Sequence, residues 1–332
     1  MNTSLSRDPI RTSAWQLALA EAYTDPAALL ADLGLADHGI DVAEATRFAM
    51  RVPRAYARRM RHADPRDPLL LQVLPRQAES EEVPGFGTDP VGDLASARRP
   101  GLLQKYAGRA LIVTTGACAV HCRYCFRRAY PYQDNLPDSQ FAGVLEELRD
   151  DPGLTEVILS GGDPLSLSNR RLGLLLTQLD AIEHVRRIRL HTRTPIVLPE
   201  RIDSGLLSSL AAARTPVVMV LHTNHANEID DAVTDAIRQL RKHCVALLNQ
   251  AVLLRGINDS ASALSRLSEN LFAAGVLPYY LHQLDPVSGA AHFAVTDDRA
   301  RECLRGAAAQ LPGYLVPRLV REVAGAEAKL PL

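Results

Sequence analysis

Residues 110–125 read ALIVTTGACAVHCRYC: a short apolar run, ALIVTT, passes straight into a loop that carries Cys118, Cys122 and Cys125. Five more runs of the same kind follow: TEVILS (155–160), RRIRLHT (186–192), PVVMVLHT (216–223), ALLNQAVLL (246–254) and LPYYLHQ (277–283). Short, β-branched apolar runs of this sort read as buried strands. Between them lie helix-length segments such as FAGVLEELRD, RLGLLLTQLDAI, DDAVTDAIRQLRKHC and ALSRLSENLFAAG. Strand-plus-helix units in series predict a parallel α/β sheet with right-handed crossovers. Six units rather than eight predict an open, partial (β/α)6 barrel, in which the loops leaving the C-terminal strand ends carry the chemistry.

Outward from this series, the 332 residues divide into three parts: 1–95, an N-terminal helical region and linker; 96–312, the (β/α)6 core; and 313–332, a C-terminal segment. Residues 14 to 62 read as helices. Trp15, Leu17, Leu19 and Ala22 mark the first, and Thr24-Asp25-Pro26 supplies the cap and first-turn proline of a second, running through Leu33. Arg76–Gly92, with Glu79, Glu81, Glu82 and Pro84, has the composition of a loop or linker. Arg51, Arg54, Arg58, Arg59, Arg61 and Arg66 recur at spacings of three and four, which places several on one helical face. Such a face is either simply solvated or docks an acidic partner, with RNA the weaker reading.

Composition excludes several classes. With 47% hydrophobic and 23% charged residues and a net charge of −1, the chain is neither disordered nor collagenous. No stretch approaches the roughly 18 uncharged apolar residues of a membrane span. The opening MNTSLSRDPIRTSAW lacks an apolar leader core, so the expected compartment is the cytoplasm. The near-neutral charge offers no general ground for a nucleic-acid ligand. No GxxxxGKS/T and no strand-following GxGxxG occurs.

Two details say more. Three of the five cysteines fall between 118 and 125, with Cys244 and Cys303 in helical patterns elsewhere, which points to metal or redox chemistry rather than disulfides. Three thiolates on one loop can hold three irons of a 4Fe–4S cube and leave the fourth open. The other readings are zinc, for which His121 beside Cys122 would have to fold back sharply as a fourth ligand, and plain buried thiols. The second detail is that only Lys105, Lys242 and Lys329 are lysine, against 34 arginines. Lysine kept in such a chain suggests a task arginine cannot perform, and only an amine forms a Schiff base.

CxxxCxxC after a first barrel strand, with Tyr124 before the third cysteine, resembles the radical S-adenosylmethionine (SAM) superfamily. The resemblance implies a 4Fe–4S cluster on Cys118, Cys122 and Cys125, with SAM on the open iron and Tyr124 against the adenine. Ser160-Gly161-Gly162-Asp163-Pro164, after the second strand, is similar to the superfamily's GGE-type motif, whose backbone receives the SAM ammonium; Asp163 keeps the carboxylate. His222 and Gln250 match SAM-contacting positions in the lysine 2,3-aminomutase family. Gly313-Tyr-Leu-Val-Pro, leading through small residues to Lys329-Leu-Pro, resembles the segment whose lysine holds pyridoxal phosphate (PLP) in that family.

The same resemblance implies Arg127 for the substrate α-carboxylate and Lys105 and Arg109 for the PLP phosphate. It implies Asp285 and Glu322 for the substrate ε-ammonium, although the family usually has Asp where Glu322 stands. The implied activity is an isomerase's, (S)-α-lysine to (R)-β-lysine. The opening WQLALAEAYTDPAALLADLGL resembles the short branch that prepares β-lysine for elongation factor P, which implies links to that factor, its lysyl ligase and a flavodoxin or ferredoxin reductant. The alternatives are a radical SAM enzyme that consumes SAM without PLP, and a zinc-organised interaction module working through the arginine face.

Overall fold

The computed structural model describes residues 13–43, 48–137 and 141–332, so the opening read above for a leader lies mostly outside the described residues. Three short helices come first: α1 Ala14–Ala20, α2 Pro26–Asp32 and α3 Arg54–Ala57. Asp25 caps α2, its side chain accepting the Ala27 N–H, with Pro26 in the first turn. The other described residues of 14–62 are turns and irregular chain rather than the expected helix, broken where Gly34 and Gly39 adopt positive φ and where Pro53 precedes α3.

An antiparallel pair, β1 Ala97–Arg99 and β2 Leu102–Tyr106, leads into β3 Arg109–Val113. Then come α4 Ala142–Asp150, β4 Glu156–Ser160, α5 Asn169–Asp180, β5 Arg187–Thr192, α6 Thr194–Val197 and α7 Ser204–Ala212. The series continues with β6 Val217–His222, α8 Asp231–Leu240, β7 Ala246–Val252, α9 Ala261–Ala274 and β8 Leu277–His282. It ends with α10 Asp297–Ala308, β9 Arg318–Arg321 and the two-residue β10 Leu330–Pro331. Strands β3 to β8 are the six apolar runs, and each pairs in parallel with the next in chain order. β9 adds a seventh parallel strand against β8, so the segment beyond 313 joins the same sheet.

Apolar side chains of the strands (Ile112, Leu159, Leu190, Met219) and of the helices packed on them (Leu145, Leu172, Leu206, Ile237) form one core. Parallel pairing leaves the C-terminal ends of β3 to β9 on one edge. A second core joins Trp15, Leu29, Tyr56 and Leu70 to Ala119 and Val120 of the cysteine loop and to Val197 and Leu198. The amino-terminal region is thus a cap seated on that loop. Arg201, fully buried, locks it: the guanidinium donates to the carbonyls of Leu165 (2.6 Å) and Leu167 (3.1 Å) and lies 4.7 Å from the Trp15 ring.

The basic helical face does not form. Only α3, from Arg54, is helical, and the arginines diverge. Arg59 turns inward and donates to the carbonyls of Ile196 (2.6 Å) and Glu228, Arg51 reaches the Cys118 carbonyl (3.4 Å), and Arg61 pairs with Asp64. Nor is Arg76–Gly92 a free linker: Glu79 is buried between Arg123 and Arg128, and Gly87 bridges to Val287. No helix among the described residues is long and apolar enough to cross a membrane.

Candidate active site

The C-terminal strand ends open into a cavity of about 510 Å³. The cysteine loop and Lys329 both line it, as does every candidate site residue named above. The thiols of Cys118, Cys122 and Cys125 are free. Burial pushes Cys118 and Cys125 up, Cys125 to about 11, and then Asp163 at Cys118 and the neighbouring sulfurs at both add to the rise. His121 is turned away, its Nδ1 2.8 Å from the Ala49 carbonyl and its ring stacked on Phe48. A cube asks each thiolate for a different iron, so its three cysteines need not converge on a single point.

The Gly161–Asp163 turn is locked to this loop. Gly162 N–H donates to the Thr115 carbonyl (2.6 Å) and Asp163 N–H to the Ala117 carbonyl (2.8 Å), which leaves carbonyl oxygens, suited to an ammonium, as what the turn presents. A Cβ on Gly162 would lie 2.3 Å from the Ala117 oxygen, so only glycine permits the approach. The Asp163 carboxylate is already saturated by the Leu165, Arg193 and Thr194 N–H groups and the Thr192 hydroxyl. It positions the turn and has no acceptor left over. The Tyr124 hydroxyl is held by Arg193, Asn224 and His222, and its ring stacks on His222 at 5.6 Å. His222, Gln250, Tyr280 and Arg318 are register partners across β6 to β9, a row of cavity-lining side chains.

Towards Lys329 the charges alternate. Arg127 Nε meets Asp93 (2.6 Å), Asp93 meets Lys105 (2.7 Å), Lys105 meets Glu322 (3.0 Å), and Glu322 meets Lys329. Burial opposes ionisation of Glu322, but Lys329 and Lys105 hold it down at about 2. Asp285 is the reverse case. Burial, and then Glu322, push it up to about 7 against the pull of the two lysines. No protein donor among the described residues takes its side chain. Arg109 keeps a buried Nε without a hydrogen-bond partner, as do His191 and His282 at Nε2. Burial lowers both histidines, His282 to about 3, so they line the cavity as neutral rings.

Several of these residues escaped the sequence reading. Asp93 sits at the end of an acid-rich stretch that reads as linker. His191 and His282 did carry a signal: RLHT, VLHT and YLHQ put a Leu-His pair near the end of three strands, and only His222 was singled out.

The radical SAM superfamily profile matches residues 112–264. The L-lysine 2,3-aminomutase of Escherichia coli is 48% identical over 96% of this chain and 94% of its own length. That of Haemophilus influenzae is 42% identical over 94% and 93%. That of Clostridium subterminale is 35% identical over 81% of this chain and 65% of its own length.

Proposed function

The chain belongs to the radical SAM L-lysine 2,3-aminomutase family, and on that premise we propose that it converts (S)-α-lysine to (R)-β-lysine with PLP carried on Lys329. Membership brings the isomerase class, a 4Fe–4S cluster and SAM. The observation that carries the PLP reading is that Lys329, near one end of the sequence, shares a single cavity with the three cysteines. Arg109, His191 and His282 line the same cavity, each with one buried nitrogen that no protein group pairs, which leaves polar capacity beside it for a bound anionic cofactor. Arg109 suits the phosphate, since Lys105 already holds Asp93 and Glu322.

The cluster and SAM supply a hydrogen-abstracting radical, and PLP supplies the conjugated π-system through which an amino group migrates. The protein's part is placement. Arg127, oriented by Asp93 through Nε and by Ser160 Oγ through Nη1, offers Nη2 to an α-carboxylate. Asp285 offers an unpaired carboxyl to an ε-ammonium. Glu322 is occupied by two lysines; once the Lys329 amine is engaged it loses one cation, and the substrate ammonium can replace it beside Asp285. The amino-terminal cap, packed on the cysteine loop, keeps bulk water from that loop.

We place this activity upstream of elongation factor P modification by a lysyl ligase, with a flavodoxin or ferredoxin as reductant and the cytoplasm as compartment. The resemblance of the opening segment to the short branch supports that reading.

Borohydride reduction of PLP-loaded protein tests the cofactor. Pyridoxyl should map to Lys329, and Lys329→Arg, which keeps the charge but forms no imine, should retain iron and lose nearly all lysine turnover. Pyridoxyl on Lys105 or on the exposed Lys242, with Lys329 unmodified, would favour an enzyme that only consumes SAM.

A further inference from the structure

Arg193 has no part in the roles assigned so far. It follows β5, and its backbone N–H donates to Asp163 Oδ2 at 2.8 Å, so the Gly161–Asp163 turn fixes where its side chain begins. That side chain is buried. Nη1 donates to the Cys122 sulfur at 2.8 Å and to the Tyr124 hydroxyl. Nη2 donates to Gln72 Oε1 (2.8 Å), Glu228 Oε2 (3.0 Å) and the Tyr56 hydroxyl (3.2 Å). Glu228 is itself anchored: it is fully buried, and its other oxygen accepts the Asn224 and His225 N–H groups at 3.0 Å each and Gln72 Nε2 at 3.1 Å. The guanidinium is therefore held from behind by a rigid carboxylate, and its front edge is presented to one of the three ligand sulfurs.

We propose that Arg193 is a positioning residue for electron uptake: its guanidinium donates to the Cys122 thiolate, stabilises the more negative, reduced cluster, and so raises the potential at which the cluster accepts its electron. Hydrogen bonds to cluster sulfurs and nearby buried charge are the levers by which a protein sets that potential. In a low-dielectric site they act with little screening. One electron enters from a low-potential flavoprotein or ferredoxin, and the cluster charge falls by one. Glu228 moderates the effect, because the anion behind the guanidinium cancels part of its field at the sulfur. The inference rests on the cluster that family membership brings and is independent of PLP.

The test is a mediated dithionite titration of reconstituted protein, followed by the electron paramagnetic resonance signal of the reduced cluster, with neither SAM nor lysine present. Arg193→Gln should shift the midpoint to more negative potential, and Arg193→Lys should fall between it and wild type. Glu228→Gln keeps an oxygen for the Asn224 and His225 N–H groups but removes the anion, and should shift the midpoint the opposite way. A role in folding alone does not produce shifts of opposite sign. Unchanged midpoints in Arg193→Gln and Glu228→Gln, or shifts of the same sign in both, would overturn the proposal. Should Arg193→Gln fail to hold iron, the Glu228→Gln midpoint decides alone, and an unchanged value would overturn it.

Discussion

In the binding role proposed for it, Asp285 would also impose a pH dependence. Its carboxyl, raised to about 7 by burial and by Glu322, is half protonated near neutrality, whereas Glu322, held at about 2, is ionised throughout. An ε-ammonium requires the ionised form. The kcat/KM for lysine should therefore climb with pH to about 7 and then level, and Asp285→Asn should flatten that limb. The same variant should weaken lysine capture by about 2–5 kcal/mol while leaving SAM affinity near wild type. The stability of the substrate-free protein follows the opposite sign. The folded state keeps this proton up to about 7 and the unfolded chain releases it near about 4, so the contribution is full below the lower value and is lost as pH rises to the upper. Equal lysine KM in wild type and Asp285→Asn across that range would place Asp285 outside the substrate pocket.

Elements matter here through their ends. The turn after β4 and the cysteine loop after β3 approach so closely that a methyl group on Gly162 would strike the Ala117 backbone, which a rotamer change cannot relieve. Gly162→Ala should cost about 1–3 kcal/mol in thermal or chemical denaturation and lower iron content by displacing the loop. Normal stability together with full iron loading would show that the contact is not constraining. Six of the seven parallel strands were legible, because their apolar runs are continuous and buried. α7 was not, since SGLLSSLAA has little polar face; the helical pattern around Cys303 is α10, whose buried side is Ala300, Cys303 and Ala307. β9, RLVR, is too short and too basic to read as a strand. Within the site, the cysteines and Lys329 stood out through spacing and rarity, both local properties. Asp93 and Arg193 acquire meaning only from partners far along the chain, Lys105 and Arg127 for one, Cys122 and Glu228 for the other.

On the scale of the whole molecule, three parts of the sequence close around one space. The cap supports the cysteine loop, the sheet presents the row from His222 to Arg318, and the C-terminal strand brings in Glu322 and Lys329. In the proposed reaction the radical made from SAM meets the substrate C–H in near contact within this space and is then regenerated, so that SAM is not used up. The amount of SAM consumed per lysine converted is therefore the measurement that tests the account most directly. Reconstituted protein given L-lysine, PLP, a limiting amount of SAM and a low-potential reductant should yield β-lysine, resolved by chiral chromatography, in large excess over the methionine and 5′-deoxyadenosine released. Methionine and 5′-deoxyadenosine accumulating to the full amount of SAM, with no β-lysine, would contradict it.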